Sequence, residues 1–273
     1  GSLSFDNILD TSLQVLWTPP ADINGILVGY TLTYMKKNET LSTVTRELGG
    51  STQQYTITGL EATTAYTIEV YASTRMGSGP VVSADISSGI PPELPGPPTR
   101  LALSNTGETS VNLQFVPGFD GHTSISMWLV EAQTRLEPEE DGQDWSLIYQ
   151  TPDSEPTSLG LVITVKNLYP YTHYRLRLIA ENIAGQSERS EPSNWFQTIQ
   201  AAPTSAPDEV TVRAVNETAL RVLWTPLAAQ LWHGEEKGYS IVYKIAGKDT
   251  AEGTVAVPSE NTNSYTLVNL EEW

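Results

Sequence analysis

The sequence contains no cysteine, so it can form neither a disulfide framework nor a thiolate metal site. Basic residues are also scarce, because 15 Lys and Arg stand against 32 Asp and Glu, which gives a formal net charge of −17. A surface this acidic makes nucleic acid and anionic membrane surfaces poor partners. No apolar run is long enough to span a membrane. We expect both ends to be cuts in a longer chain, whose transmembrane helix lies elsewhere.

Motifs for catalysis and cofactor binding are absent as well. His122, His173 and His233 lie far apart in the internal repeat, and no Ser/His/Asp order, HExxH, P-loop or GxGxxG motif accompanies them. Acidic residues cluster at 137–144, but consecutive acids rarely converge on the roughly six to eight oxygens that calcium requires. We therefore predict that the chain is not an enzyme and has no cofactor or metal, and that the acidic run is a solvated loop.

What the sequence does contain is one pattern repeated three times. Residues 12–20, 110–118 and 219–227 each place apolar side chains at every second position, end that series with a large ring, and continue to a proline two residues later. The rings are Trp17, Phe115 and Trp224. A period of two predicts a strand with one buried face, and proline ends the strand because it cannot donate to a ladder.

Two further elements recur. The next predicted strand carries an aromatic residue, and a later corner places a tyrosine six residues after a leucine, just before another alternating run. Such a tyrosine can be buried because its hydroxyl bonds back to the backbone of the corner while its ring fills the core. The predicted core aromatics are therefore Trp17, Tyr30, Tyr66, Phe115, Trp128, Tyr174, Trp224 and Tyr239.

The period of about 100 residues, with short strands and turn signals, is typical of tandem antiparallel β-sandwiches. We predict an all-β chain of two complete modules, residues 1–90 and 91–200, and a truncated third module, residues 201–273. Proline-rich joints at 90–98 and 201–207 favour extended, semi-rigid backbone, and so predict a short rod with limited bending. The third module lacks its last two strands, so we expect residues 204–273 not to fold alone.

Together, the ring-and-proline strand, the Gly-Tyr strand, the tyrosine corner and the Asn182-x-x-Gly185 exit resemble fibronectin type III modules. Within that family, residues 115–133 and 202–227 and the 269–273 ending are similar to the sidekick family of neuronal cell adhesion molecules. The resemblance implies a single-pass surface protein, with N-terminal immunoglobulin domains followed by many fibronectin III modules. It attributes homophilic recognition to the immunoglobulin end.

A few residues are candidates for a role at the surface. Asn38 and Asn216 begin N-glycosylation sequons in predicted turns, and we expect both to be glycosylated. Aromatic residues favour interface cores, and four of them are candidate partner contacts that could also be structural: Trp232 in the loop after the ring-bearing strand of the third module, Tyr169, Tyr171 and Trp195.

The sequence thus favours a non-catalytic extracellular spacer of an adhesion molecule, on the outer face of the plasma membrane at cell–cell contacts. Its expected partners are proteins, through homophilic or cis adhesion of the parent protein. Two alternatives remain open. One is a receptor segment that grips a protein at a module junction. The other is a linker array of a modular enzyme.

Overall fold

The computed structural model describes residues 1–135, 142–152, 154–247 and 253–270. Regular structure in these ranges is antiparallel β, apart from two short 3-10 turns, Thr40–Ser42 and Ala229–Leu231. The all-β prediction is confirmed, because three successive β-sandwich units follow one another along the chain.

The first module packs the three-stranded sheet β1-β2-β5 against a second sheet, which runs β4-β3-β6-β7 with β8 also paired to β6. The edge strand β8 leads into the first proline-rich joint. The strands of this module are β1 (Leu3–Leu9), β2 (Ser12–Trp17), β3 (Leu27–Lys36), β4 (Val44–Gly49), β5 (Gln54–Thr58), β6 (Ala65–Thr74), β7 (Gly77–Ser78) and β8 (Val82–Ser87).

The second module repeats this arrangement with the sheets β13-β14-β10-β9 and β12-β11-β15-β16, and β17 also pairs with β15. Strand β15 aligns with β11 over nine residue pairs, from Met127↔Glu181 to Arg135↔His173. The strands are β9 (Thr99–Ser104), β10 (Val111–Val116), β11 (Met127–Arg135), β12 (Ser146–Thr151), β13 (Glu155–Thr157), β14 (Gly160–Val165), β15 (His173–Asn182), β16 (Gly185–Gln186) and β17 (Phe196–Gln197).

The third module has one three-stranded sheet, β18-β19-β22, and one pair, β20-β21. In the described ranges it has no strand equivalent to β6 or β15. Its strands are β18 (Asp208–Asn216), β19 (Ala219–Thr225), β20 (Tyr239–Tyr243), β21 (Gly253–Val257) and β22 (Ser264–Leu267).

Each core is built around a ring pair at equivalent positions. The indole of Trp17 meets Tyr30 edge-on at 5.6 Å between ring centroids, and Phe115 meets Trp128 at 4.7 Å. These four residues are buried. Edge-to-face contacts of this kind stabilise beyond the area they bury, so the same packing solution recurs with different rings.

The corner tyrosines are buried, and their hydroxyls bond to the corner backbone. Tyr66 Oη accepts a hydrogen bond from the backbone N–H of Glu61 at 2.9 Å, and Tyr174 Oη accepts one from Tyr169 at 2.9 Å. Burial of Tyr174 raises the pKa of its hydroxyl. In all three modules the leucine that begins the corner also donates its N–H to a threonine carbonyl in the first β-turn: Leu60 to Thr11, Leu168 to Thr109 and Leu270 to Thr218.

The third core is more open than the other two. Trp224 is buried, and Tyr239, a predicted core aromatic, packs against the buried cluster of this module but is only half-buried itself. The reason is that Tyr30 and Trp128 are covered by β6 and β15, whereas the described part of the third module supplies no such strand. A cavity of about 530 Å³ therefore opens between its two sheets, lined by Trp224, Tyr239 and Val212 among others.

Candidate functional site

The first module junction is held by backbone hydrogen bonds between the linker and a loop. The linker donates from Glu93 N–H to the Gly121 carbonyl at 2.9 Å, and from Gly96 N–H to the Phe119 carbonyl at 2.8 Å. Gly121 has φ +77°, and a Cβ there would lie 2.1 Å from the Glu93 carbonyl oxygen. Only glycine permits this close approach, so the loop between β10 and β11 is shaped to receive the linker.

A buried amide closes this junction from the side. Asn182 Nδ2 donates to the backbone carbonyls of Glu93 at 2.8 Å and Asp120 at 2.9 Å. Its Oδ1 accepts from the N–H groups of Ala184 and Gly185. The side chain is therefore fully satisfied although it is only 4% exposed. Sequence reasoning noticed Asn182 only as part of the family pattern and did not predict this bridging role.

The two modules also contact each other directly. Thr123 Oγ1, in the second module, donates to the Asp85 carbonyl of edge strand β8 at 2.6 Å, and the Asp85 N–H donates to Ser124 Oγ at 3.0 Å. Ile86 and Thr123 form an isolated antiparallel bridge. Thr123 is 2% exposed. The loop thus adds to the edge of the first module's sheet, a mode of association that main-chain hydrogen bonds make possible.

The second junction uses the corresponding loop with fewer contacts. The Ala201 N–H donates to the His233 carbonyl at 2.8 Å, and the Glu235 N–H donates to Gln200 Oε1 at 3.3 Å. The expectation that His122 and His233 occupy unrelated repeat positions is wrong. Both have positive φ, and each lies six residues before the aromatic residue of its module.

The sequence leaves Trp232 open as either an exposed partner contact or a structural residue, and the structure contradicts the exposed alternative. Its side chain is 7% exposed, its ring lies 5.4 Å from that of Tyr239, and its Nε1 donates to the Leu227 carbonyl at 3.3 Å. The physical reason is the 3-10 turn Ala229–Leu231, which folds the loop back over the open core. A large indole gains more by covering that core than by facing water.

Tyr169 and Tyr171 lie together at the corner of the second module. Tyr169 is 71% exposed. Tyr171 is half-buried with φ +49°, and its N–H donates to the carbonyl of Ile199, two residues before the second linker. The structure thus leaves one free ring beside the second junction, with a second ring partly available.

Trp195 is half-buried in a stack of alternating indoles and guanidinium groups. The Arg135 guanidinium lies 4.1 Å from its ring centroid and that of Arg175 lies 5.2 Å away. Arg175 and Arg177 in turn flank Trp145, at 5.3 and 4.3 Å. Cation–π contacts explain the ordering of these side chains. Trp195 therefore joins an internal stack, which no local sequence signal predicts because its members come from distant elements.

Glu131 joins this stack by pairing with Arg177 and Arg189. Burial alone acts to raise the pKa of Glu131, but hydrogen bonds from Arg189 and Arg177 outweigh it, and the net pKa lies below the ordinary value. A half-buried carboxylate with two guanidinium partners stays ionised.

The segment after β16 is bound to β15 at every third residue. Ser187, Ser190 and Ser193 each donate their N–H to a β15 carbonyl, and each accepts a β15 N–H on Oγ. Serine hydroxyls therefore replace alternate ladder bonds, and the segment runs as an extended edge that ends at Trp195. Sequence reasoning missed this edge, although the spacing Ser-x-x-Ser-x-x-Ser was the available signal.

The sequon asparagines lie at the surface. Asn38 is exposed with φ +66° in the turn after β3. Asn216 is exposed at the end of β18, and its Oδ1 accepts hydrogen bonds from the N–H and Oγ1 of Thr218. Neither amide nitrogen is enclosed by the fold.

Within the described ranges, no group of histidine and acidic residues could hold a metal ion. Residues 137–141 of the acidic run lie outside those ranges. No helix in the described part of the chain is long and apolar enough to cross a membrane.

The comparison with protein families now decides what these three sandwiches are. The model of the fibronectin type III domain matches residues 1–88, 96–195 and 205–273. The chain belongs to the fibronectin type III family. Its fibronectin type III modules are of a non-enzymatic kind, as the sequence predicts.

Over its whole length the chain is similar to sidekick proteins. It is 46% identical to protein sidekick-2 of Mus musculus and 43% identical to protein sidekick-1 of Gallus gallus. Both alignments cover 100% of this chain. Protein sidekick of Drosophila melanogaster is 43% identical over 99% of this chain. In each case the matched region is 12% of the relative's length. The sidekick resemblance is therefore confirmed for a segment of those proteins.

Proposed function

We propose that the chain is a non-catalytic extracellular segment of a cell-surface adhesion molecule and acts as a spacer. The observation that carries this proposal is the first junction, where Asp85, Thr123 and Asn182 tie two modules together by hydrogen bonds. A spacer must fix the distance and angle between the domains at its ends. Bonded junctions do this better than free coil.

The proposed place is the outer face of the plasma membrane at cell–cell contacts, with a membrane helix of the parent protein outside this chain. The proposed partners are proteins, through homophilic or cis contacts of the parent. The net charge of −17 argues against nucleic acid. For lateral contacts we propose the exposed ring of Tyr169, with Tyr171 beside it. Trp195 is a weaker candidate because arginine side chains cover its faces.

We further propose that Asn38 and Asn216 carry N-linked glycans. Support comes from their exposure in turn or strand-end positions, as the modifying enzyme requires an accessible acceptor. Glycans there would also shield the neighbouring sheet edges from pairing with other chains. We place the module boundaries near residues 90 and 200, where the proline-rich joints begin.

The second candidate function is a receptor segment that grips a protein at a module junction. The observation in its favour is the position of Tyr171, which bonds to Ile199 just before the second linker and lies two residues from the exposed Tyr169. The first junction is a poor binding site for a partner protein, because its backbone groups are already hydrogen-bonded within the junction.

Sedimentation of the chain over a range of concentrations tests the spacer role against adhesion by self-association. A spacer should remain a monomer up to high micromolar concentration. A dimer that strengthens with concentration, and that Tyr169→Ser abolishes, would move adhesion into these modules and contradict the spacer role. In cells, replacing the three modules by an unrelated rod of equal length should preserve adhesion if spacing is the function.

A further inference from the structure

The loop after the ring-bearing strand shares one backbone feature in all three modules. A residue with left-handed φ lies six positions before the core aromatic of the following strand. These residues are Asn24 (φ +49°), His122 (φ +62°) and His233 (φ +56°), which precede Tyr30, Trp128 and Tyr239. We call this stretch the B–C loop; in the first module it comprises residues 22–29.

In the second and third modules, the B–C loop is where the preceding part of the chain attaches. Thr123 and Ser124 bond to Asp85 of the module before. At the next junction, the His233 carbonyl and the Glu235 N–H bond to the linker, and Glu235 is at the position of Ser124. Two copies of the B–C loop therefore bond to the segment that precedes their module.

A second turn lies beside the B–C loop and also contacts the preceding segment. It joins β6 to β7 in the first module and β15 to β16 in the second. In the second module, a Cβ built on Gly185 would lie 2.8 Å from Leu94 Cδ2, so the linker leucine packs against that turn. The equivalent residue of the first module is Gly77, which has no neighbouring atom within 4 Å of the same point. One copy of the turn is covered by a linker side chain and the other is bare.

The bare surface of the first module is apolar. Ile26, at the position of Ser124, is 78% exposed, and Val28 is 56% exposed. Met76, beside Gly77, is 94% exposed. The two segments are adjacent, because a Cβ on Gly25 would lie 3.5 Å from Thr74 Cγ2 and the Met76 N–H donates to Thr74 Oγ1. A contiguous patch of large exposed apolar side chains marks an interaction site.

We propose that this tip, residues 23–28 with Met76 and Gly77, is a docking surface for another β-sandwich module that precedes it in the parent protein. That module would contact the tip with its last strand and the linker that follows, and an apolar linker side chain would cover Gly77 as Leu94 covers Gly185. The occupant is inferred from continuity with the two junctions already described. It also fits the relatives, of whose length the matched region is only 12%.

The chemistry of this joint differs from that of the first internal junction. Ser124 makes a hydrogen bond across its junction, whereas Ile26 has no polar side-chain atom and can only bury area. Burial of apolar area would hold the joint. The inference goes beyond the spacer proposal and does not depend on any adhesive role.

Methionine oxidation by hydrogen peroxide tests the proposal, because the chain has three methionines. The rate is measured by mass spectrometry for the 273-residue chain and for the parent protein that includes the preceding module. Oxidation depends on access, so Met76 should be oxidised about tenfold more slowly in the parent protein. Met127, which lies in β11, is the internal control and should keep its rate.

Two variants of the parent protein sharpen the test. Ile26→Ser should restore fast oxidation of Met76, whereas Leu41→Ser, at an even more exposed position in the turn before β4, should not. Equal rates for Met76 in the two proteins would overturn the proposal. So would protection that appears in the 273-residue chain at high concentration, because a second copy would then be the occupant.

Discussion

Asn182 shows how one side chain can join three segments. Its amide bonds to the linker at Glu93, to the B–C loop at Asp120 and to the turn at Ala184 and Gly185. The equivalent residue of the first module is Thr74, whose hydroxyl reaches only its own turn. Of these two equivalent side chains, the Asn182 amide alone bridges separate segments.

We expect Asn182→Ala to destabilise the second module by about 2–3 kcal/mol, because it leaves buried carbonyl and N–H groups without partners. Urea denaturation followed by tryptophan fluorescence measures the change. Asn194→Ala, at an exposed asparagine of the same module, is the matched control and should change stability by less than about 0.5 kcal/mol. Equal effects of the two substitutions would show that the four hydrogen bonds contribute nothing.

The corner tyrosines allow an equally clean test. Tyr66→Phe and Tyr174→Phe keep the ring but remove the acceptor of the Glu61 or Tyr169 N–H. Each should cost about 1–2 kcal/mol in thermal or urea unfolding. Tyr169→Phe removes a hydroxyl from a side chain that is 71% exposed and should be neutral. The corner interpretation fails if all three variants behave alike.

At the scale of elements, patterns confined to one strand or one corner could be predicted from the sequence. The alternation in β2 and β10 and the leucine–tyrosine spacing depend on near neighbours, and burial follows from them directly. Contacts between distant segments could not be predicted. Trp232 covers the open core of the third module, and Thr123 bonds to Asp85 on edge strand β8, 38 residues earlier. Periodicity describes which face of a strand is apolar, but not which loop meets which edge.

The stack on the sheet face of β11 and β15 predicts a pH dependence. The pKa of Glu131 is lowered in the folded state, so its contribution to stability is present above the ordinary glutamate pKa and is lost as the pH falls through the folded value. Glu131→Gln should therefore lower the free energy of unfolding at neutral pH. The difference in this free energy between the variant and the unsubstituted chain should shrink in acid. Unfolding free energies across the acidic range check this.

Glu188→Gln is the control for that experiment, because Glu188 is exposed on the neighbouring edge segment. It should show no comparable loss at neutral pH. If Glu131→Gln lowers the unfolding free energy by the same amount at every pH, packing of the side chain, and not its charge, stabilises the stack.

The first junction predicts a fixed geometry between two modules. Thr123→Val with Ser124→Ala removes both side-chain hydrogen bonds to Asp85 and should broaden the distance distribution between the modules. Because the chain has no cysteine, dyes can be attached at Leu41→Cys and Leu159→Cys, which are highly exposed positions. Single-molecule energy transfer then measures the distribution directly. Thr99→Val, at an exposed strand position, should leave it narrow.

At the scale of the whole molecule, the three modules differ in completeness of their cores. The third has a cavity of about 530 Å³ between its sheets, and Val210 and Val212 remain more than half exposed. Residues 204–273 prepared alone should therefore show no cooperative thermal transition in calorimetry, because too little apolar area is buried. Residues 1–200 should unfold cooperatively in the same experiment. A sharp transition from the isolated third segment would contradict this prediction.

The two junctions also differ in how they would respond to a pulling force. The first ties Asp85 and Glu93 into the next module through several hydrogen bonds, while the second relies on Ala201 and Gln200. Under a pulling force, the second linker should yield first and lengthen the molecule while the leading pair of modules keeps its shape. The first two modules would then move as one rigid body, and the chain would extend elastically at the second linker, near Ala201.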